Sequence, residues 1–335
     1  MKSKIGTRYY RERTRLETVI PLETPFILYL DPSSACNLRC SFCPCGRAHE
    51  DVWSAEKKKS LGTMPFDLYK KIIDDCQEFP DKIKALRLYK EGEPLVNQRL
   101  PEMIAYGRDS GKFEAIDFTT NGTLLNPALN RRLVEAGLSR INISVEALSG
   151  EGYEKICGVK LDFGRFMDNL RDLYEHRGNC HVFIKTMADN FDGETEKKFY
   201  GLFGDICDEI AVESLANCWP GFENRAINTN VYHGGDVQDF IVCPRIFYIL
   251  TINSDGTATH CIVDWNHVKT IGDVRKQSLQ EIWRGRELYN LMIEHLKGNR
   301  RKQALCAECM EIESAAVDNI DEYRDEILLR MESLK

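Results

Sequence analysis

Short β-rich apolar runs alternate with amphipathic helical patterns through residue 213, and this alternation constrains the fold more than any other feature of the sequence. The runs lie at 26–30, 83–89, 115–119, 140–145, 181–186 and 209–213. Between them Phe66, Tyr69, Ile72, Ile73 and Cys76 keep helical spacing, as do Phe163, Phe166, Leu170 and Leu173. Asn126-Pro127 starts a further helix with Leu129, Leu133 and Val134 on one face, and Gly137 ends it. Strands separated by helices need crossover connections, which run the strands parallel. Six such units predict an α/β fold, a partial (β/α)6 TIM-like barrel whose ligands sit at the C-terminal strand ends.

The rhythm changes near residue 219. Residues 219–245 are rich in Asn and Gly and read as loop. A hairpin follows, with strands at 247–252 and 257–263 around Asn253-Ser254-Asp255-Gly256. Helical patterns occupy 278–283 and 286–297, and 311–335 reads as one charged amphipathic helix. The expected organisation is a basic lead at 1–24, the barrel at 25–219, a second subdomain at 220–312 and a C-terminal helix at 313–335. With 43% hydrophobic and 29% charged residues, wholesale disorder is excluded. No apolar run approaches the roughly 18 residues of a membrane span. The N-terminus is basic without an apolar core, so it does not read as a secretory signal, and a cytoplasmic location is expected. A net charge of −7 argues against a general nucleic-acid binder. Lys2, Lys4, Arg8, Arg11, Arg13 and Arg15 stand against Glu12 over residues 2–15. They read as a solvated tail, with docking of an anionic substrate or partner as the alternative.

Thirteen cysteines in such a chain point to metal binding or chemistry rather than to a disulfide scaffold. Cys36, Cys40 and Cys43 follow the first strand as CNLRCSFC. Three thiolates on one short loop hold three corners of an iron–sulfur cubane and leave the fourth iron open for a ligand. Zinc is the alternative, with Cys45 or His49 as its fourth ligand. Cys243, Cys261, Cys306 and Cys309 form a second set. The hairpin turn at Gly256 returns Cys261 towards Cys243, and the CAEC pair follows a helix. Four cysteines from three segments can close a tetrathiolate site for a cluster or for zinc.

CxxxCxxC after the first strand of a βα chain, with Phe42 between the last two cysteines, resembles the signature of the radical S-adenosylmethionine (SAM) enzymes. The resemblance covers about residues 25–215. It implies a [4Fe–4S] cluster on Cys36, Cys40 and Cys43 whose open iron binds SAM. Lys90-Glu91-Gly92-Glu93-Pro94 resembles the family's GGEP motif, with Glu91 where the first glycine belongs. Thr119-Thr120-Asn121-Gly122 resembles its TNG, and Ser144-Val145-Glu146 ends the fourth strand where the family often has Ser and Asp. The resemblance therefore implies SAM contacts from Phe42, Glu91, Gly92, Glu93, Thr120, Asn121, Ser144 and Glu146. The second cysteine set is similar to that of the SPASM/twitch branch. Its four cysteines imply the shorter twitch form, with one auxiliary [4Fe–4S] cluster and hence two clusters in all.

Cys45, Cys76, Cys157, Cys180, Cys207 and Cys218 remain outside both sets. Cys76 reads as core. Cys218 follows the sixth strand, where a hydrogen-atom donor would stand, although a packed loop thiol is the plainer reading. Arg225, in GFENRAINTN, is a candidate for a substrate hydroxyl, carboxylate or phosphate, and His233 reads as a loop residue. The resemblance implies reductive cleavage of SAM and hydrogen abstraction from a small polar substrate: a sugar, aminocyclitol or nucleotide sugar. Dehydrogenation of a carbinol to a ketone, with the auxiliary cluster as electron acceptor, is the leading expectation. Epimerisation with Cys218 as hydrogen donor is the alternative. A peptide-modifying maturase is weighed down by the short lead of about 24 residues, and a non-catalytic iron–sulfur or zinc module by the SAM motifs. The expected partners are the substrate and an electron donor such as flavodoxin or ferredoxin.

Overall fold

The computed structural model describes all residues except 7–12, 188–192, 216–217, 223–238, 316–317 and 334–335, together with the side chains of 47–49, 193 and 194 excepted. All six expected runs are strands: β2 (Ile27–Leu30), β3 (Ile83–Arg87), β4 (Phe113–Thr120), β5 (Arg140–Ser144), β6 (His181–Met187) and β7 (Glu209–Glu213). Four more join them: β1 (Lys4–Ile5), β8 (Ile249–Ile252), β9 (Thr257–Thr259) and β10 (Thr270–Asp273). The sheet order is β1-β7-β6-β5-β4-β3-β2-β8-β9-β10. β1 through β8 pair parallel, and β9 and β10 run antiparallel to their neighbours. β7 and β2 are not neighbours, so the α/β sheet stays open, as expected of a partial barrel.

The helices between strands follow their apolar spacing. Helix Phe66–Asp75 buries Tyr69, Ile72 and Ile73, and helix Phe163–Glu175 buries Phe166, Leu170 and Leu173. Asp162 caps the latter by accepting the N–H of Arg165. Asn126 caps helix Pro127–Glu135, and Gly137 leaves it at a φ of +93°. Helices crossing back over parallel strands cover their apolar side chains. Ile116, Phe118, Ile141 and Ile143 are buried, each contributing about 1.5–3 kcal/mol. Cys76 lies in this core, as its position on the helix predicts.

Two differences have local causes. Lys4–Ile5 pairs with β7 at the sheet edge, so this part of the basic lead is a strand rather than a free tail. Residues 311–335 do not form one helix. Glu311–Ala315 and Arg324–Glu332 are separate. Asn319 Oδ1 accepts the N–H of Asp321 at 2.9 Å in the connection, a local bond that competes with helix, and Asp318 pairs with Arg13. Among the described residues no helix is long and apolar enough to cross a membrane.

Candidate functional site

Because β2 to β7 run parallel, their C-terminal ends lie along one edge of the sheet. The loop leaving β2 carries Cys36, Cys40 and Cys43 there. The backbone before Cys36 is held by the segment leaving β3: Gly92 N donates to Ser33 O at 3.1 Å and Glu93 N to Ala35 O at 3.0 Å. A Cβ on Gly92 would stand 2.3 Å from Ser33 O and 2.4 Å from Ala35 O, so only glycine fits. The Glu93 carboxylate then accepts from Thr120 Oγ1 at 2.6 Å, Asn121 N at 2.8 Å and Leu95 N at 3.0 Å. Asn121 Nδ2 donates to Asn37 Oδ1 at 2.9 Å and faces Cys36 Sγ at 4.0 Å. The ends of β3 and β4 thus clamp the first half of the cysteine loop. Its second half rests on the end of helix Gly150–Cys157, where Arg39 N donates to Cys157 O and Ser41 N to Ile156 O.

Cys36 Sγ already accepts the N–H of Leu38 at 3.4 Å, a contact suited to a thiolate ligand. Burial pushes its thiol up to about 12. Cys40 is raised by a hydrogen bond with Cys157 and by burial, whereas a hydrogen bond with Cys45 lowers Cys43. Cys36 and Cys40 keep their protons until a metal displaces them, whereas Cys43 ionises more readily. Three thiols on one clamped loop fit three corners of a cubane.

The other expected SAM contacts are placed as follows. Phe42 is half-buried in the cysteine loop, and Ser144 is half-buried at the end of β5. Glu146 is buried just beyond it, and burial pushes its carboxyl up to about 7. Lys185 of β6 and Glu213 of β7 lie within its electrostatic reach and pair with each other at 2.7 Å. Glu91 is also buried, but its carboxylate is engaged by Lys57, Lys90 and His267 Nε2, the last at 2.8 Å. Burial opposes its ionisation, yet Lys90 and Lys57 outweigh burial and hold it well below the usual carboxylate range. Lys90 Nζ also donates to Asn253 Oδ1 and to Asp264 O. His267 has a φ of +53°, alone among the described non-glycine residues. No local signal marked Lys57, Cys157 or His267, because each meets the site through long-range packing.

Cys218 is half-buried. Its neighbours Trp219 and Phe222 pack on the cluster of Cys45, Trp53 and Trp265, which also touches Cys43. Trp265 Nε1 donates to Pro220 O at 3.0 Å. The segment after β7 therefore lies against the first cysteine loop. Arg225 and His233 lie outside the described residues.

The second cysteine set comes together where β8, β9 and the C-terminal helices meet. Cys243, Cys306 and Cys309 are buried and Cys261 is half-buried. Burial and the proximity of Cys309, Cys243 and Cys306 push the Cys261 thiol far up. Cys243 N donates to His295 Nδ1 at 3.4 Å, and Cys309 N to Cys306 O. Among the described residues no group of three or more His, Cys, Asp and Glu side chains is placed to hold a metal ion. One zinc ion with bonds of ~2.3 Å brings its four sulfurs to about 3.8 Å of one another. A cubane takes its thiolates at outer corners, further apart. Four thiols that share one electrostatic neighbourhood can supply the four ligands of a cluster.

The radical SAM superfamily model matches residues 30–206, and a SPASM iron–sulfur cluster-binding domain model matches residues 243–310. Over 121 residues the chain is 35% identical to a tungsten-containing aldehyde ferredoxin oxidoreductase cofactor-modifying protein of Pyrococcus furiosus, covering 36% of this chain and 31% of that protein. The matched stretch thus spans about a third of that relative. The crystal structure of BtrN in complex with AdoMet and 2-DOIA covers 85% of this chain and 92% of its own, with a TM-score of 0.55 at 18% identity. Streptococcus suis SuiB covers 89% of this chain and 74% of its own, with a TM-score of 0.62 at 14% identity. At these identities the two structures carry the fold. SAM and a [4Fe–4S] cluster are the cofactors of the first domain, and the second domain binds further iron–sulfur. With more than half of its length matched by one family model, the chain belongs to the radical SAM superfamily.

Proposed function

We propose that this radical SAM enzyme oxidises a carbinol of a small polar substrate to a ketone. The substrate class is a sugar, aminocyclitol or nucleotide sugar. The observation that carries the reading is the position of the second thiol set. Its hairpin is hydrogen-bonded into the main sheet through β8 on β2, the strand that leads into the first cysteine loop. An electron acceptor at Cys243, Cys261, Cys306 and Cys309 therefore stands on the same rigid frame as the radical site. When bound, SAM and the reduced first cluster supply a 5′-deoxyadenosyl radical that takes a hydrogen atom from a substrate carbon.

The chain's own residues orient and enclose this chemistry. Cys36, Cys40 and Cys43 would ligate the first cluster, with Gly92, Glu93, Thr120 and Asn121 fixing their loop. Phe42, Ser144, Glu146 and Glu91 are proposed on the SAM side. Oxidation of a carbinol releases one hydrogen atom, one proton and one electron, so a base and an acceptor must both be at hand. Glu146, with its carboxyl at about 7, is the assigned base. The second site is the assigned acceptor. Arg225 is kept as a substrate contact. An electron donor of the flavodoxin or ferredoxin type would reduce the first cluster.

Epimerisation is the second reading, favoured by the packing of the Cys218 segment against the first cysteine loop. Reconstituted enzyme and a Cys218→Ala variant, incubated with candidate polyols in deuterated water, decide between the two. The expected result is a ketone, one 5′-deoxyadenosine for each ketone, and an active variant. Deuterium at an inverted carbon, with turnover lost in the variant, would overturn dehydrogenation.

A further inference from the structure

Three nitrogen-bearing side chains surround the second thiol set, and the cysteine pattern marked none of them. His260 is buried, with Nε2 3.9 Å from Cys306 Sγ. His295, on helix Arg286–Leu296, is 0% exposed and accepts the backbone N–H of Cys243 at Nδ1. An imidazole that accepts at Nδ1 is neutral and carries its proton on Nε2. That Nε2–H is buried with no hydrogen-bond partner among the described residues. Arg300 is 1% exposed. Its Nη1 donates to Cys309 O at 3.5 Å, and its Nη2 donates to Phe240 O at 2.7 Å and Glu313 Oε1 at 3.0 Å. Its Nε–H is likewise buried without a partner.

A buried donor left without an acceptor is unfavourable. His260 Nδ1 is a third buried nitrogen here with no hydrogen-bond partner among the described residues. Native structures rarely tolerate such a group around one ligand set without a reason. The His295 and Arg300 orphans are donors, so what they lack is an acceptor. The thiolate and sulfide sulfurs of an iron–sulfur cluster are acceptors, and the thiols alone are poor ones.

We propose that His260, His295 and Arg300 form a preset shell of N–H donors to the sulfurs of the auxiliary cluster, with His295 the positioning residue that raises its reduction potential. The inference rests on reading the second site as a cluster that accepts the substrate electron. Reduction adds negative charge to the sulfurs. Hydrogen bonds and the Arg300 cation stabilise that charge, so the cluster accepts an electron more readily.

The test needs no substrate. In a Cys36→Ala, Cys40→Ala, Cys43→Ala parent, only the auxiliary cluster remains to be followed by electron paramagnetic resonance during a redox titration. His295→Leu removes both ring nitrogens at similar volume, and His295→Gln restores an N–H near the Nε2 position. At the parent's midpoint, His295→Leu is expected to shift the reduced-to-oxidised ratio about tenfold towards oxidised, ~59 mV for one electron. His295→Gln should stay within about threefold of the parent, with iron and sulfide content equal in all three. An unshifted midpoint in a fully loaded Leu variant overturns the inference. If the Leu variant loads no cluster, pulsed resonance on parent protein labelled with 15N-histidine decides: a histidine nitrogen coupled to the reduced cluster is expected, and its absence overturns the shell. A parent with no second cluster overturns the reading of the site itself, and the donor shell with it.

Discussion

Replacing Glu93 with Gln tests how the strand ends beside the first cysteine loop are held together. The Glu93 carboxylate joins three elements by accepting from Thr120 Oγ1, Asn121 N and Leu95 N. Burial pushes its carboxyl from 4.5 up to about 7 against those bonds. Because the folded value lies above the unfolded one, protonation favours the fold. That contribution is complete below pH 4.5 and is lost as pH rises through 7. From the two values, about 2.5 kcal/mol of stability should disappear between pH 5 and pH 8 through this one group. Glutamine cannot titrate, so the variant lacks this slope. Its amide turns an NH2 towards one of the three donors, much as the O–H of the protonated carboxyl does at pH 5. Asp31 and Glu146 are likewise raised, but they are common to both proteins and cancel in the difference. Urea unfolding of the cluster-free chain should show the stability of the wild type relative to Glu93→Gln falling by about 2.5 kcal/mol between pH 5 and pH 8. Parallel pH profiles for the two proteins would refute the argument.

Three further outcomes follow from the same geometry. The Cys36→Ala, Cys40→Ala, Cys43→Ala variant should form no 5′-deoxyadenosine under reductant yet keep its auxiliary iron; product from that variant would remove the SAM cluster from this loop. Replacing Cys306 and Cys309 with Ser should halve the iron bound after anaerobic reconstitution and lower the melting temperature, since ligation by them would tie the hairpin to the C-terminal helices; zinc in place of that iron in anaerobically purified protein would exclude an auxiliary cluster. Gly92→Ala forces a methyl group against the Ser33 and Ala35 carbonyls, so a loss of about 1–3 kcal/mol and weakened SAM binding are expected, checked by denaturation and by equilibrium dialysis.

The barrel was legible because each of its strands is an apolar run bounded by turn residues, and each helix shows one apolar face. The first site was legible because its thiols and its glycine lie within short motifs at strand ends. What stayed hidden depends on tertiary pairing. β1 holds two residues, and its identity as a strand comes wholly from β7. β10 carries a bulge and a glycine, which blur its alternation. The C-terminal break hid inside a charged stretch whose composition suits a helix throughout. His260 stands beside Cys261 and could have been marked by that adjacency, whereas His295 and Arg300 reach the second site from a distant helix and the turn after it.

Glu91 shows why a motif departure is not read by analogy alone. Where the family places a glycine, this chain has a carboxylate that gathers Lys57 from the helix after the cysteine loop, Lys90 from its own strand end and His267 from the loop after β9. Lys90 reaches on to Asn253 and Asp264 of the hairpin region. A buried carboxylate with cationic partners tolerates little displacement, because removing one partner leaves an uncompensated charge worth about 3–5 kcal/mol. The two thiol sites are therefore tied twice, by β8 on β2 in the sheet and by this ionic knot above the strand ends. In the dehydrogenation proposed above, the electron leaving the substrate radical would pass between two sites held on this one frame.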